Sequence, residues 1–300
     1  MSLDLVVLGN LVVDDVVLAD GRTRMAEPGG AVLYVALGAR LWGLRVGVVS
    51  WRGDEYPTAA LETLVHRGID LQGVHALGRT GLRTWLLYEG TRRRVVLRLD
   101  GPSHSEASPL ADRIPHDWLG ARAFHLAPMP LPIQQELVTA LARREDALLS
   151  VDPYEMVGAG TLDAWRGVLA QVDVLFLSED EMELAGRDHE ALRGLAGGRL
   201  RSVVFKRGLR GGALYDARAN RVHPWTARAA AVVDPTGAGD TFAAGVLAGW
   251  LRGESHERAL QRGIVSASFA IEDWGPAGIL RATPEAAEKR LREWFGGEPS

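Results

Sequence analysis

Val233-Asp234-Pro235-Thr236-Gly237-Ala238-Gly239-Asp240-Thr241-Phe242 is the stretch of this 300-residue chain whose residue types and spacing could do chemistry. An apolar run, Ala229 to Val233, reads as a strand before it, and Phe242, Val246 and Trp250 recur after it at the spacing of an amphipathic helix. The glycines therefore fall at a strand-to-helix turn. Glycine has no Cβ, so the backbone there can come close to a ligand. The N–H groups of Gly237, Ala238 and Gly239 would stand free at a helix N-terminus, where they converge on an anion and the helix dipole favours negative charge. Asp240 would lie in the first turn, within reach of whatever that anion hole holds. Such a pairing suits phosphoryl transfer: the amides stabilise charge on the phosphoryl group, and Asp240 accepts the proton of an attacking alcohol. Without further context the same residues could also be two aspartates capping a glycine turn.

A site of this kind needs a scaffold, and the rest of the chain reads as one. Short apolar runs alternate with helical patterns. Leu5–Leu8 and Val46–Val49 read as strands, Tyr34–Trp42 and Tyr56–Arg67 as helices closed by Gly43 and Gly68. Phe124–Leu126, Leu148–Val151, Val174–Leu177 and Val203–Phe205 read as further strands. These runs are apolar without alternation, as in parallel strands covered on both faces. The repeated strand–helix order predicts a mostly parallel sheet flanked by helices. Two segments interrupt it. Val16–Met25 holds a turn, Ala19-Asp20-Gly21-Arg22. Arg83–Leu99 reads as a hairpin, with strands Thr84–Tyr88 and Arg94–Leu99 joined at Glu89-Gly90-Thr91. If the two pair, they form a small second sheet whose apolar face a substrate or a second subunit would cover.

Composition narrows the classes. Hydrophobic residues make up 47% and charged residues 24%, as in ordinary globular proteins. A formal net charge of -4 gives no reason to expect nucleic acid or an anionic membrane as partner. There is no cysteine, which excludes disulfides, thiolate metal sites and cysteine nucleophiles. The N-terminus lacks the basic region of a signal peptide, and no apolar run approaches the roughly 20 residues of a membrane span. A cytoplasmic location is the expectation. Lysine stands only at 206 and 289, so all but two of the 34 basic residues are arginine.

The string Asp-Pro-Thr-Gly-Ala-Gly-Asp-Thr-Phe, taken whole, closely resembles the C-terminal signature of the ribokinase-like carbohydrate kinases, the PfkB family. The resemblance extends over nearly the whole chain. Gly29-Gly30 before a helix resembles the family's first glycine signature, which meets the sugar. Val7-Leu8-Gly9-Asn10-Leu11-Val12-Val13-Asp14 resembles its first strand, and Asp14 stands where an aspartate binds substrate hydroxyls. Ser178-Glu179-Asp180-Glu181 resembles the Asn-x-x-Glu motif that organises Mg²⁺, water and ATP phosphates; Glu181 matches and Ser178 replaces the asparagine. Lys206-Arg207-Gly208-Leu209-Arg210-Gly211 resembles the nucleotide-contacting turn. Asp234 and Thr236 match positions that help to hold a monovalent cation, K⁺, in potassium-activated relatives, the other ligands coming from a loop near Ser266–Gly278.

The resemblance implies a three-layer α/β fold, a mostly parallel central sheet flanked by helices, with a small β lid. Residues 1–300 would form one domain, with lid strands within 15–28 and 79–100. It implies an enzyme that moves the γ-phosphate of ATP, with Mg²⁺, to a hydroxyl of a small sugar-like substrate, Asp240 being the base. Ser178, Lys206, Gly208, Gly211 and Gly239 would contact ATP; Val12, Asp14, Gly29, Gly30, Tyr34 and Asp240 would face the substrate.

Departures from the family pattern concentrate at the substrate positions. Ribokinase has ribose-contacting asparagines where Val12 and Tyr34 stand, and a glutamate near Leu126-Ala127-Pro128-Met129, where no acid occurs. Asp152-Pro153 resembles a family element, without the asparagine and arginine often seen just beyond it. These losses argue against ribose, and the aromatic surfaces of Tyr34 and Trp85 suit a ring-bearing ligand. A nucleoside or inositol kinase is the alternative within the class, and a non-catalytic ligand sensor the alternative outside it. A dinucleotide-dependent oxidoreductase is rejected because the first strand does not lead into G-x-G-x-x-G, and a P-loop NTPase because G-x-x-x-x-G-K-[ST] is absent.

Overall fold

The computed structural model describes residues 2–89, 92–144, 146–183, 189–228 and 231–296. In chain order its elements are β1 (Leu5–Leu8), β2 (Val12–Val17), β3 (Thr23–Gly29), α1 (Ala31–Leu41), β4 (Val46–Arg52), α2 (Thr58–His66), β5 (Asp70–Ala76), β6 (Leu82–Glu89), β7 (Arg92–Leu97), β8 (Ala123–Leu126), α3 (Leu131–Leu141) and β9 (Leu148–Val151). There follow β10 (Val157–Gly158), α4 (Leu162–Leu169), β11 (Val174–Ser178), β12 (Met182–Glu183), α5 (His189–Leu195), β13 (Ser202–Lys206), β14 (Gly212–Asp216) and β15 (Arg221–Trp225). The chain closes with α6 (Ala238–Leu251), α7 (His256–Ala270), α8 (Ala277–Arg281) and α9 (Pro284–Phe295).

The large sheet runs β15-β14-β13-β11-β9-β8-β1-β4-β5. It is parallel from β13 to β5, and β14 and β15 extend it antiparallel. Strand alternation sends Leu5 and Val7 of β1 into one core with α1, α6 and α7, and Val6 and Leu8 into another with α3 and α4. Both faces are covered, which is why these strands read as unbroken apolar runs. The architecture is the three-layer α/β fold expected from the sequence.

The four-stranded small sheet runs β3-β2-β6-β7, joining the two interrupting segments side by side. Its second hairpin strand lies two residues earlier than predicted, and Gly90 and Thr91 of the predicted turn lie outside the described residues. α1 begins three residues before the expected Tyr34.

Two expectations about the glycine segment change. The described part of the run before it is no strand: Ala229 and Ala230 lie outside the described residues, and 231–233 has no ladder partner among them. Instead the Val233 N–H donates to Ile271 O at 2.8 Å, so the turn hangs from the end of α7. α6 is not amphipathic either. From Thr241 to Leu251 nearly every side chain is buried, between α1 and α7. A helix apolar all round belongs inside a layer. Among the described residues no helix is long and apolar enough to cross a membrane.

Candidate active site

The residues singled out above gather at the C-terminal ends of the parallel strands, where open α/β sheets bind ligands. Asp152 directly follows β9, Ser178 ends β11 and Lys206 ends β13. The glycine turn closes this edge from the other side. Gly237 caps α6 in the left-handed region, φ 75°. A Cβ there would collide with the Tyr34 ring, so only glycine allows this approach. Asp234 is fully buried and pins the turn. Its Oδ1 accepts from the Thr236 N–H at 2.9 Å, and its Oδ2 from the Gly275 N–H at 2.9 Å.

Of the three predicted anion-hole amides, Ala238 N–H donates to Pro235 O at 3.3 Å. The N–H groups of Gly237 and Gly239 bond to nothing among the described residues. They remain available to an anion, at the positive end of a 14-residue helix. Asp240 sits in the first turn. Burial pushes its carboxyl above the usual range, while the cations of Lys206 and Arg93 pull it back down.

Lys206 crosses this end of the site. Its Nζ donates to Asp152 Oδ2 at 2.6 Å. A Cβ on Gly239 would lie 3.5 Å from the same Nζ. Burial acts against the ammonium, but Asp152, Glu181 and Asp240 hold its pKa above the ordinary lysine range. Ser178 pairs in register with Lys206. Glu181 folds back so that its Oε2 accepts from the Ser178 N–H at 2.7 Å. The acidic segment 178–181 is thus a turn rather than the start of a helix. Gly208 and Gly211 bound a tight turn with φ of 54° and 78°; Gly211 presses against the Trp225 carbonyl, whereas Gly208 faces open space. Arg210 is ion-paired to Glu179 across this edge.

The small sheet supplies the opposite end. Asp14 on β2 is 6% exposed, and its carboxylate lies against Gly29, where any Cβ would displace it. Thr84 Oγ1 and the Gly30 N–H donate to it. Burial raises the Asp14 pKa to about 7, despite those donors and the Arg93 charge. Gly30 caps α1 with φ 97° and packs on the Asn10 carbonyl. Val12 shares the face of Asp14 and packs with Leu82 and Ala107.

Tyr34 is 2% exposed; its ring, expected to meet a ligand, packs beneath Gly237. Its hydroxyl lies among Asp14, Asp234, Tyr88 and Asp240, and burial raises its pKa well above that of free tyrosine. Trp85 requires a correction. Thr84 reaches Asp14, so strand alternation turns Trp85 to the other face, beside Val96 and away from Asp14.

Sequence reasoning missed three residues here. Tyr88 on β6 shares a hydrogen bond of 2.9 Å with Thr236 Oγ1, tying the small sheet to the glycine turn. Arg93, opposite Tyr88 on β7, hydrogen-bonds it and acts electrostatically on Asp14 and Asp240. Thr84 holds Asp14. The i, i+4 spacing of Thr84 and Tyr88 within one strand puts both on one face, the one signal that could have found them.

These residues fit a nucleotide triphosphate. The free amides of Gly237 and Gly239 stand at the helix end, and the Lys206 ammonium lies beside Gly239. Among the described residues no three acids or histidines form a closed metal cage. Mg²⁺ seldom needs one, since it binds through one or two carboxylates, phosphates and water; Glu181 is a suitable oxygen donor.

Fold and site together define a phosphotransferase with an alcohol acceptor. The family model described as pfkB family carbohydrate kinase matches residues 3–282, and the chain belongs to that family. A cytidine kinase of Thermococcus kodakarensis is 30% identical over 282 residues, covering 92% of this chain and 99% of its own. Among solved structures, an E. coli protein described as ribokinase II, in complex with ATP and Mg²⁺, superposes with a TM-score of 0.76 at 22% identity, over 98% of this chain and 100% of its own. A Burkholderia thailandensis nucleoside kinase in complex with ADP and inosine gives 0.77 at 16% identity, over 99% and 97%.

Proposed function

We propose that this kinase transfers the γ-phosphate of ATP to a hydroxyl of a nucleoside. The observation that carries the transfer is the meeting of Asp240, the free amides of Gly237 and Gly239, and Lys206 at one helix N-terminus. The acceptor hydroxyl is held by Asp14 and deprotonated by Asp240. Its oxygen bonds to the γ-phosphorus, the bond from that phosphorus to the β–γ bridging oxygen breaks, the proton passes to Asp240 and ADP leaves. The two amides stabilise the charge on the moving group. Lys206, Gly208, Gly211 and Ser178 line the nucleotide side. Glu181 would order the water shell of a bound Mg²⁺, which would supply positive charge to the phosphates.

The nucleoside, rather than a free sugar, is favoured by the cytidine kinase relative and by the loss of ribokinase's two asparagines, where Val12 and Tyr34 stand. Two missing hydrogen bonds would cost ribose about 1–3 kcal/mol, roughly 5- to 150-fold in affinity. The segments 234–236 and 273–275, joined through Asp234 and Gly275, are where K⁺ would act; replacing K⁺ by tetramethylammonium tests this. A second copy of the chain is the partner proposed for the outer face of the small sheet, where Trp85 and Val96 lie side by side at 37% and 42% exposure. Sedimentation as a monomer across the micromolar range would remove that partner.

A thermal-shift panel of ATP, nucleosides, ribose, hexoses and inositol, followed by a product assay with the best binder, tests the proposal. Ribose outperforming every nucleoside in kcat/KM would overturn the acceptor, and binding without product would overturn the kinase.

A further inference from the structure

Lys206 and Asp152 form a buried ion pair, 9% and 1% exposed. Such a pair is a poor source of stability, because two apolar residues of similar volume usually serve as well or better. Its hydrogen bonding is also incomplete. Asp152 Oδ1 is buried and has no hydrogen-bond partner among the described residues. The ammonium has three donors and uses one, on Asp152 Oδ2, among the described residues. Its position is set by Asp152 at 2.6 Å, and it stands beside the Gly239 backbone, where a Cβ would lie in ordinary contact 3.5 Å away. Asp152, Glu181 and Asp240 all act on it, so carboxylates outnumber it locally. A polyphosphate entering such a site meets repulsion unless cations face it. Arginine is this chain's habitual cation, yet a lysine stands here. A compact ammonium points its three donors from a single atom, whereas a guanidinium presents a fixed planar fork.

We infer that Lys206 is a catalytic residue that donates its two unused N–H groups to the γ-phosphoryl oxygens beside the Gly239 amide, and that Asp152 is the positioning residue that holds it there. The inference rests on the kinase reading and assigns a task within it. During transfer the lysine proton stays on nitrogen. The hydrogen bonds strengthen as charge redistributes over the non-bridging oxygens and onto departing ADP.

Calorimetric titration with Mg·ADP and with a non-hydrolysable Mg·ATP analogue tests this without turnover. The wild type should bind the analogue more tightly than ADP. Lys206→Met should abolish that preference, about 10-fold or more, while ADP affinity changes less than about 3-fold. Asp152→Asn should keep the preference but lower kcat about 10-fold, since the charge remains and its placement is lost. Lys206→Arg should recover analogue affinity more than kcat. If Lys206→Met fails to fold, Lys206→Met/Asp152→Leu removes both buried charges and is read in the same way. A Lys206→Met variant, alone or with Asp152→Leu, that retains the preference, or loses ADP and the analogue equally, overturns the assignment. A wild type that binds neither nucleotide overturns the kinase reading as well.

Discussion

The two ends of the site are built differently. The proposed nucleotide end belongs to the large sheet and α6: Asp152, Ser178 and Lys206 end or follow neighbouring strands, and Gly237–Asp240 share one turn. The proposed acceptor end is assembled from the small sheet, where Asp14, Gly29 and Thr84 come from three strands and meet in one contact. The first end is fixed by the core of the protein, the second by a sheet that reaches the core through few bonds, Tyr88 to Thr236 among them. Chemistry demands fixed geometry, and substrate choice tolerates an adjustable wall. Changes at the nucleotide end should therefore strike turnover, and changes at the acceptor end should strike affinity.

The largest effect should come from Asp240→Asn. It removes the proposed base but keeps the shape, so kcat should fall about 10²-fold or more with ATP binding and melting temperature nearly unchanged. A loss confined to KM would place Asp240 with the acceptor-binding residues and erase the contrast. Next is Asp14→Asn, which should weaken acceptor affinity about 10- to 100-fold with little change in KM for ATP.

Asp14 also carries a stability signature. Its pKa rises on folding from 3.8 to about 7, so the folded state holds the proton more tightly than the unfolded one. Stability is then lost as pH rises from about 4 to about 7, and the loss is complete above that. Asp14→Asn should accordingly melt about 2–5 °C above the wild type at pH 8, with the gain shrinking towards pH 4. A variant less stable than the wild type at pH 8 would show that the carboxylate is better satisfied than its burial indicates.

Smaller still, Glu181→Gln should raise the Mg²⁺ concentration needed for half-maximal rate several-fold and leave acceptor binding alone. Its amide oxygen can still accept from the Ser178 N–H, so the turn survives. Unchanged Mg²⁺ dependence would reduce Glu181 to that turn contact. The smallest effect belongs to Tyr88→Phe, which removes one hydrogen bond between the sheets, about 0.5–1.5 kcal/mol. A rise in acceptor KM of about 2- to 10-fold at constant kcat would sharpen the division between the ends.

The same division decided what could be read from sequence. The nucleotide end lies in contiguous strings at strand ends, and local spacing suffices to place Asp240 beside the glycine amides. The strands were legible because burial on both faces leaves unbroken apolar runs. The acceptor end depends on pairing between β2, β3 and β6, which no local pattern encodes. Trp85 looked like an available aromatic until strand alternation turned it outward, and Tyr34 until Gly237 was found on its ring. The stretch 231–233 resembled a strand by composition alone; its one backbone anchor, Ile271, lies on another element. The Lys206–Asp152 pair joins residues 54 positions apart and becomes visible only when β13 and β9 flank β11.

Phosphorus NMR of the protein incubated with Mg·ATP and cytidine tests the central claim most directly. The account predicts a phosphomonoester signal growing in step with ADP, present in the wild type and nearly lost in Asp240→Asn. ATP left intact with cytidine and with every other nucleoside, sugar and polyol that binds, or a product formed as fast by Asp240→Asn, would contradict it.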